Sequence, residues 1–305
     1  MKKCILAALA ALTILASCDG GTGGATGAVA FPNVKIPGII EDPSARLAYA
    51  TEHFWDAFAS DSAYFKSVPE AEVEKQMGMF ATLVQEPGAN GEKAMTAMFR
   101  SFESAPWMYS NMCRLASRYF YDPNSPVRDE SLYLPFVTLM AESPLTDDSM
   151  RTAYRWDASM CALNAPGTKA ADFRFIDTEG RSRTLYSVKA DALVLIFGNP
   201  DCKACEELME QMSESPEVNS LLDSGRLKVL DIYIDEDIAL WKSRIASYPA
   251  GWINGYDPDF VIRQDLLYNV RALPSIYLLG ADKSVILKDT TGERLLGELN
   301  AGNSH

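Results

Sequence analysis

The stretch GNPDCKACEEL, Gly198–Leu208, places two cysteines, Cys202 and Cys205, with two residues between them. It follows the apolar run ALVLIF, which predicts a buried strand, and it leads into EELMEQM, which is typical of a helix. A helix that begins at Cys202 directs its unpaired N–H groups and its positive dipole end at that sulfur, which favours the thiolate. Lys203 adds a positive charge nearby. We therefore expect Cys202 to be the nucleophile and Cys205, one turn into the helix, to resolve a mixed disulfide.

The pair has two other interpretations, half of a zinc site and a structural disulfide. The composition disfavours the first, and the second stays open. Zinc would need two further ligands, whereas the chain has only His53 and His305 and no second closely spaced cysteine pair. We predict no metal site and no cofactor. A purely structural disulfide between Cys202 and Cys205 remains an alternative to a redox centre.

The pattern around this stretch predicts an α/β unit. After NAPGTKA, residues 164–170, the sequence FRFIDTEGRSRTL predicts two short strands about a turn. A helix from Cys202 to about Leu222, the strand RLKVLDIYI and the helix IALWKSRIASY follow. The segments SIYLL and SVILKD then predict a closing antiparallel pair. Strand, helix, strand, helix and a strand pair are typical of an α/β sandwich.

Strand, loop, C-x-x-C, helix and a distant x-Pro before a strand resemble thioredoxin. More narrowly, GTKAADFRFIDTEGRSRTL is similar to the entry hairpin of membrane-tethered TlpA/ResA-type thiol–disulfide oxidoreductases. The resemblance covers residues 165–305 and implies a thioredoxin-like, three-layer α/β sandwich with a Cys202–Cys205 active site. It also implies a cis-proline at Pro274 beside the sulfurs, with Leu273 offering backbone groups to a bound partner.

The chain departs from that family at three positions. Thioredoxins carry a buried Asp six residues before the first cysteine, where this chain has Ile196, and a Trp just before that cysteine, where it has Asp201. TlpA/ResA-type proteins often have a Glu three residues after the second cysteine, where this chain has Leu208. No proton acceptor for Cys205 is therefore inherited from the family, and Asp201 opposes the thiolate of Cys202.

Residues 42–164 predict an all-helical domain of about six helices, so the fold class is α+α/β. This part resembles an uncharacterised domain that precedes thioredoxin modules in some exported lipoproteins, which implies nothing about its chemistry. Its large aromatic residues Trp55, Trp107 and Trp156 are predicted to be core. Cys113 and Cys161 lie on apolar helix faces and are either buried thiols or a bridge; an oxidising compartment favours a disulfide.

The N-terminus has the pattern of an export signal. Lys2 and Lys3 precede the apolar run 5–15, and LASC, residues 15–18, resembles a bacterial lipobox. We expect a signal peptide over residues 1–17, a lipid on Cys18 and a Gly-rich tether over residues 18–41. An ordinary cleaved signal that contains a cysteine is the alternative. The predicted location is the bacterial cell envelope, lipid-anchored, facing the periplasm or on the cell surface.

The formal net charge of −13, without a basic stripe, disfavours nucleic acid as a partner. Trp252 and Tyr256, in YPAGWINGYDPDF, are candidates for lining a partner groove; packing onto the sheet is the alternative. The combined hypothesis is a lipid-anchored thiol–disulfide oxidoreductase acting on exported protein or small-molecule thiols through an unidentified redox partner. The alternative is a binding or scaffold lipoprotein whose thioredoxin-like half is structural or vestigial.

Overall fold

The computed structural model describes residues 34–302. The predicted signal peptide, the lipidated Cys18 and the tether up to residue 33 lie outside the described residues. Two compact units are present: residues up to Val127 with Leu132–Ala158, and Arg128–Ser131 with the residues from Ser159 onward. The predicted boundary after residue 164 thus differs from this division. Across residues 34–302, no helix is both long and apolar enough to cross a bilayer.

Eight helices lie between residues 34 and 164, where about six were predicted. Local caps account for the difference, because Asp42 and Asp61 each accept backbone N–H groups and start short helices. The helices are α1 Pro43–Glu52, α2 Asp56–Ser60, α3 Ser62–Ser67, α4 Glu70–Leu83, α5 Gly91–Glu103, α6 Tyr109–Phe120, α7 Glu130–Glu142 and α8 Asp148–Ala162.

The core of the helical unit is aromatic. Trp55 is fully buried and makes edge contacts with Phe80 and Phe102, so the prediction for Trp55 is confirmed. The prediction is wrong for Trp107 and Trp156, which are 44% and 54% exposed. Trp107 lies in the turn before α6, and Trp156 lies away from the more buried side of α8.

The second unit is built on a mixed sheet of seven strands in the order β2-β1-β5-β4-β3-β6-β7. Strands β3, β4 and β5 are parallel, and β1, β6 and β7 pair antiparallel to their neighbours. The strands are β1 Arg174–Asp177, β2 Ser182–Thr184, β3 Ala192–Gly198, β4 Leu227–Tyr233, β5 Ile253–Tyr256, β6 Ser275–Gly280 and β7 Val285–Leu287. The helices are α9 Lys203–Glu214, α10 Pro216–Asp223, α11 Ile238–Arg244 and α12 Gly292–Gly302.

Apolar residues cover both faces of this sheet. On one face, side chains of α9, α10 and α12 pack on β3, β4 and β6 around Val194, Ile196 and Val229. On the other face, irregular segments bring Phe173, Ile262 and Tyr268 against the strands. The predicted α/β architecture is confirmed. Strand β5 and helix α12 were not predicted. The helix predicted from Cys202 to about Leu222 is two helices, because Pro216 starts a new one that is capped by Ser215.

Three strand ends converge at one edge of the sheet and position the cysteines. Strand β3 ends at Gly198, whose register partner on the parallel strand β4 is Tyr233. The antiparallel strand β6 begins at Ser275, opposite Phe197. The loop after β3 and the residues just before β6 therefore meet at the same edge.

Candidate active site

Cys202 and Cys205 are joined by a disulfide, with their Cα atoms 5.2 Å apart. Cys202 is the N-cap residue of α9, and the backbone N–H of Cys205 donates to its sulfur at 3.2 Å. Cys202 is half-buried, whereas Cys205 is only 5% exposed. Cys202 is therefore the more accessible, outer cysteine of the pair, and Cys205 is the shielded, inner one.

The residue before Pro274 lies directly against the outer sulfur. The Leu273–Pro274 peptide bond is cis, as the resemblance implied. The carbonyl oxygen of Leu273 is 3.5 Å from Sγ of Cys202. The structure thus brings together four of the predicted site residues: Cys202, Cys205, Leu273 and Pro274.

The charges beside the pair largely cancel one another. Asp201 accepts an ion pair from Arg244 at 3.4 Å, and Lys203 pairs with Glu207 at 3.5 Å. All four side chains are more than half exposed, so each pair contributes little to stability. The N–H groups at the start of α9 remain as the fixed positive influence on Cys202.

Comparisons with known proteins agree with this geometry. Residues 12–164 match the family model for a domain of unknown function, DUF5106. Over 91% of its length the chain is similar to 99% of the crystal structure of a thioredoxin-like protein from Bacteroides caccae, at 30% sequence identity and a TM-score of 0.78.

The chain belongs to the thioredoxin-like proteins.

Two further solved structures match the second half of this thioredoxin-like chain. The C-terminal domain of an uncharacterized protein from Bacteroides fragilis is 40% identical, with 46% of this chain and 99% of that chain covered and a TM-score of 0.45. A domain of a possible thiol-disulfide isomerase from Cytophaga hutchinsonii is 26% identical, with 46% and 95% covered and a TM-score of 0.38. No curated protein sequence matches the chain.

The two aromatic residues predicted to line a partner groove lie at and just before strand β5. Trp252 is 8% exposed and packs in the core between the sheet and its helices, which corrects the expectation of a surface contact. Tyr256 belongs to β5, pairs in register with Ile176 of β1, and contacts the ring of Trp241. Trp252 directly precedes β5 and Tyr256 is its last residue, so this segment is a strand and not an irregular loop.

The expected disulfide between Cys113 and Cys161 is not formed, and both residues are buried thiols. Each lies inside a different compact unit, Cys113 in the helical unit and Cys161 in the thioredoxin-like unit. The Cys113 thiol makes a hydrogen bond with the hydroxyl of Tyr109. Burial raises the pKa of Cys113 to about 12, so this thiol stays protonated and unreactive.

The buried carboxyl group of Asp231 was not among the candidate site residues predicted from the sequence. Asp231 is 3% exposed in the middle of β4, and burial raises its pKa to about 7. This residue lies within the predicted strand RLKVLDIYI, and no role was predicted for it. An Asp flanked by the apolar residues Leu230 and Ile232 in the strand LKVLDIY is the signal that could have identified it, since charged residues are rarely buried without a partner.

A groove of about 460 Å³ adjoins the cysteine pair on the side of α9. Pro200, Glu206 and Met209 form one wall, and Ser247, Tyr248 and Pro249 form the other. Burial, followed by the negative charges of Asp231 and Tyr233, raises the pKa of Tyr248, so its hydroxyl stays protonated. The groove therefore combines apolar surface with the exposed carboxylate of Glu206, the residue next to Cys205.

Proposed function

We propose that this chain is a thiol–disulfide oxidoreductase that works through Cys202 and Cys205. The observation that carries the proposal is the disulfide at the start of α9, whose outer cysteine, Cys202, is only half-buried and lies beside the carbonyl of Leu273. A structural disulfide gains nothing from an accessible sulfur at a helix N-terminus. An exchange site requires an accessible sulfur, because a partner sulfur must reach one sulfur of the pair, and a helix N-terminus favours its thiolate.

The exchange begins from the oxidised pair. A partner thiolate attacks Sγ of Cys202, the bond between the two protein sulfurs breaks, and Cys205 leaves as a thiolate that takes up a proton. A second partner thiolate then attacks the partner sulfur of the mixed disulfide, which releases Cys202 as a thiolate. Two electrons have moved from the partner thiols to the cysteine pair. The same steps in reverse oxidise the pair and reduce a partner disulfide.

The structure supports Cys202 as the sulfur that attacks and leaves. A thiolate at this position accepts the backbone N–H of Cys205 and lies at the positive end of α9. The opposing charge of Asp201 is offset by its ion pair with Arg244. We expect reduced Cys202 to react much faster than Cys205, whose thiol is buried.

Leu273 is placed to position a partner chain. Its carbonyl oxygen lies beside Cys202, so an extended partner segment could pair with the backbone here while its own sulfur meets Sγ of Cys202. We infer that the partners are protein thiols or disulfides, because a backbone contact of this kind recognises a peptide.

Variants of the two cysteines test the proposal. Wild type should catalyse the reduction of insulin disulfides by dithiothreitol, and Cys202→Ser should abolish this activity. Cys205→Ser should accumulate mixed disulfides on Cys202, because the resolving thiol is missing. Absence of catalysis in wild type together with no trapped adduct in Cys205→Ser would leave a scaffold role for the thioredoxin-like unit.

We further infer that the chain is held at the bacterial cell envelope by a lipid on Cys18. The support is the sequence LASC after the basic and apolar N-terminal segment. The test is mass spectrometry of the N-terminal peptide from cells, which should carry the mass of a diacylglyceryl group on Cys18. Recovery of an unmodified Cys18 in the membrane-free fraction would overturn this inference.

A further inference from the structure

Asp231 is a buried carboxyl group without a hydrogen-bond partner. Its Oδ1 atom is fully enclosed and accepts no hydrogen bond. The other buried carboxylates among residues 34–302 all accept hydrogen bonds: Asp129, Glu130, Asp177, Asp257 and Asp289. An unpaired buried carboxylate is costly, so its presence here calls for a functional explanation.

The carboxyl group lies on the face of the sheet that carries the cysteine helix. Side chains of alternate residues along a strand share a face, and Val229 of β4 packs with Leu208 of α9 on this side. Asp231, two residues beyond Val229, is therefore on the same face. Its register partner on β3 is Ile196, which belongs to the same cluster.

Gly198 lies next to the carboxyl group of Asp231 and has no side chain to crowd it. Gly198, the last residue of β3, follows Ile196 on this face, and a Cβ atom at Gly198 would stand 3.1 Å from Oδ2 of Asp231. Cys205 is three residues before Leu208 and is buried on the same side of α9. The carboxyl group thus lies beside the end of β3, on the face of the sheet against which α9 packs.

Cys205 must lose a proton before it can attack a mixed disulfide on Cys202. The carboxylates that follow it in the helix, Glu206 and Glu207, are exposed and point to solvent, and Glu207 is paired with Lys203. Two buried acceptors on this side of the described sheet make no hydrogen bond, Oδ1 of Asp231 and Oδ1 of its register partner Asn254. Of these two groups, only the carboxylate of Asp231 can take up a proton near neutral pH.

We propose that the carboxylate of Asp231 accepts the proton of Cys205, directly or through one water molecule, when Cys205 resolves the mixed disulfide. The proposal rests on the oxidoreductase function proposed above. The S–H bond of Cys205 breaks as its sulfur forms a bond with Sγ of Cys202, the partner leaves as a thiolate, and the carboxylate becomes a carboxylic acid. In the reverse direction the acid returns the proton to the departing Cys205 thiolate.

The surroundings of Asp231 make its carboxylate a base effective near neutral pH. Burial raises the pKa of Asp231 to about 7, close to the working pH that suits a general base. The groups around it are neutral: Asn254 is its register partner on β5, Tyr233 follows on β4, and Tyr248 lies close enough to be affected by its charge. No cation among the described residues is the cause of the shift in the pKa of Asp231.

The test follows the reduced full chain with Cys4→Ser and Cys18→Ser after mixing with one equivalent of an aromatic disulfide that releases a coloured thiolate. The first release reports attack by Cys202, and the second reports resolution by Cys205. Asp231→Asn should leave the first phase unchanged and slow the second about a hundredfold, with loss of its pH dependence near neutrality. Glu214→Gln, which changes an exposed carboxyl group at the far end of α9, is the matched control and should resolve like wild type.

The outcomes separate the two proposals. Wild type without a second phase would contradict the oxidoreductase mechanism itself. A second phase of equal rate and equal pH profile in wild type and Asp231→Asn would overturn the role of Asp231 alone. Should Asp231→Asn fail to fold, carbon NMR titration of the Asp231 carboxyl group in wild type decides: its pKa should change when the disulfide is reduced, and an unchanged pKa would overturn the proposal.

Discussion

The carbonyl oxygen of Leu273 lies 3.5 Å from Sγ of Cys202, although the two residues are 71 positions apart in the chain. The antiparallel pairing of β3 with β6 creates this contact, because it sets Ser275 opposite Phe197 and so brings Pro274 to the loop after β3. A partner that pairs with the backbone at Leu273 must pass over the accessible sulfur. The fold therefore defines where a partner binds and which cysteine it meets.

The accessibility of the cysteines predicts a specific result in thiol counting. In the full chain with Cys4→Ser and Cys18→Ser, the oxidised native protein should react with no alkylating agent. Unfolding without a reductant should expose the thiols of Cys113 and Cys161, because neither is in a disulfide. Alkylation followed by peptide mass spectrometry measures this. A denatured, unreduced chain that yields no labelled cysteine would show that these two are bridged.

The buried Asp231 predicts a pH-dependent stability. Its pKa is about 7 in the folded chain and near 3.8 in the unfolded chain, so the folded chain holds the extra proton between these values. The stabilisation is complete below pH 3.8 and is lost as the pH rises through 7. The corresponding loss in the free energy of unfolding is on the order of 4 kcal/mol.

Urea denaturation at a series of pH values checks this, with Asp231→Asn as the comparison. The stability of Asp231→Asn relative to wild type should increase as the pH rises from about 4 to about 8, because the variant carries no charge to bury. A stability difference that is constant over this range would show that Asp231 ionises normally in the folded chain.

Two glycine substitutions should have opposite signs. In Gly255→Ala of β5, the new Cβ would stand 2.6 Å from the ring of Phe175 and 2.9 Å from the carbonyl oxygen of Ile176. We expect a loss of about 1–3 kcal/mol in the free energy of unfolding. Gly297 is exposed within α12 with no atom near its Cβ position, so Gly297→Ala should gain about 0.5–1 kcal/mol. Thermal unfolding monitored by circular dichroism distinguishes them, and equal effects would contradict the packing of β5 against β1.

A buried ion-pair cluster links Glu130 to the segment before Pro274. Glu130 pairs with Lys288 at 2.7 Å and with Arg271 at 2.9 Å, and the carboxylate and the lysine are each 1% exposed. Glu130→Gln should lower the free energy of unfolding of this unit by about 3 kcal/mol, because it leaves a buried charge without its partner. Glu207→Gln, which removes an exposed ion pair with Lys203, should cost less than about 1 kcal/mol. Chemical denaturation measures both, and similar small losses would show that the cluster is solvated.

Much of the fold of the second unit could be predicted from the sequence. Strands β3 and β4 are long and mainly apolar, and the pairs β1–β2 and β6–β7 are each separated by a short turn. The C-x-x-C stretch gave the start of α9, and the resemblance placed Pro274 correctly beside Cys202. Strand β5 was missed because INGY has a glycine and an asparagine, residues that disfavour strands, and only tertiary pairing between β1 and β4 makes it one.

The candidate site was less completely predictable, because neighbours across the sheet are not visible in the sequence. Ile196 correctly indicated that the carboxyl group of thioredoxins is missing on β3. The register that pairs Ile196 of β3 with Asp231 of β4 is set by tertiary structure. The sequence alone therefore could not place the carboxyl group of Asp231 near the position that thioredoxins use. Similarly, the compartment favoured a disulfide between Cys113 and Cys161, whereas the structure has both as buried thiols.

The reduction potential of the Cys202–Cys205 pair tests the central claim most directly. It is measured by equilibrating the full chain with Cys4→Ser and Cys18→Ser against glutathione redox buffers and trapping the thiols by alkylation. An oxidoreductase should have a potential in the range of exchange proteins, about −270 to −120 mV. A potential below about −300 mV, with a disulfide that resists reduction in the folded chain, would identify a structural bond and contradict the proposed function.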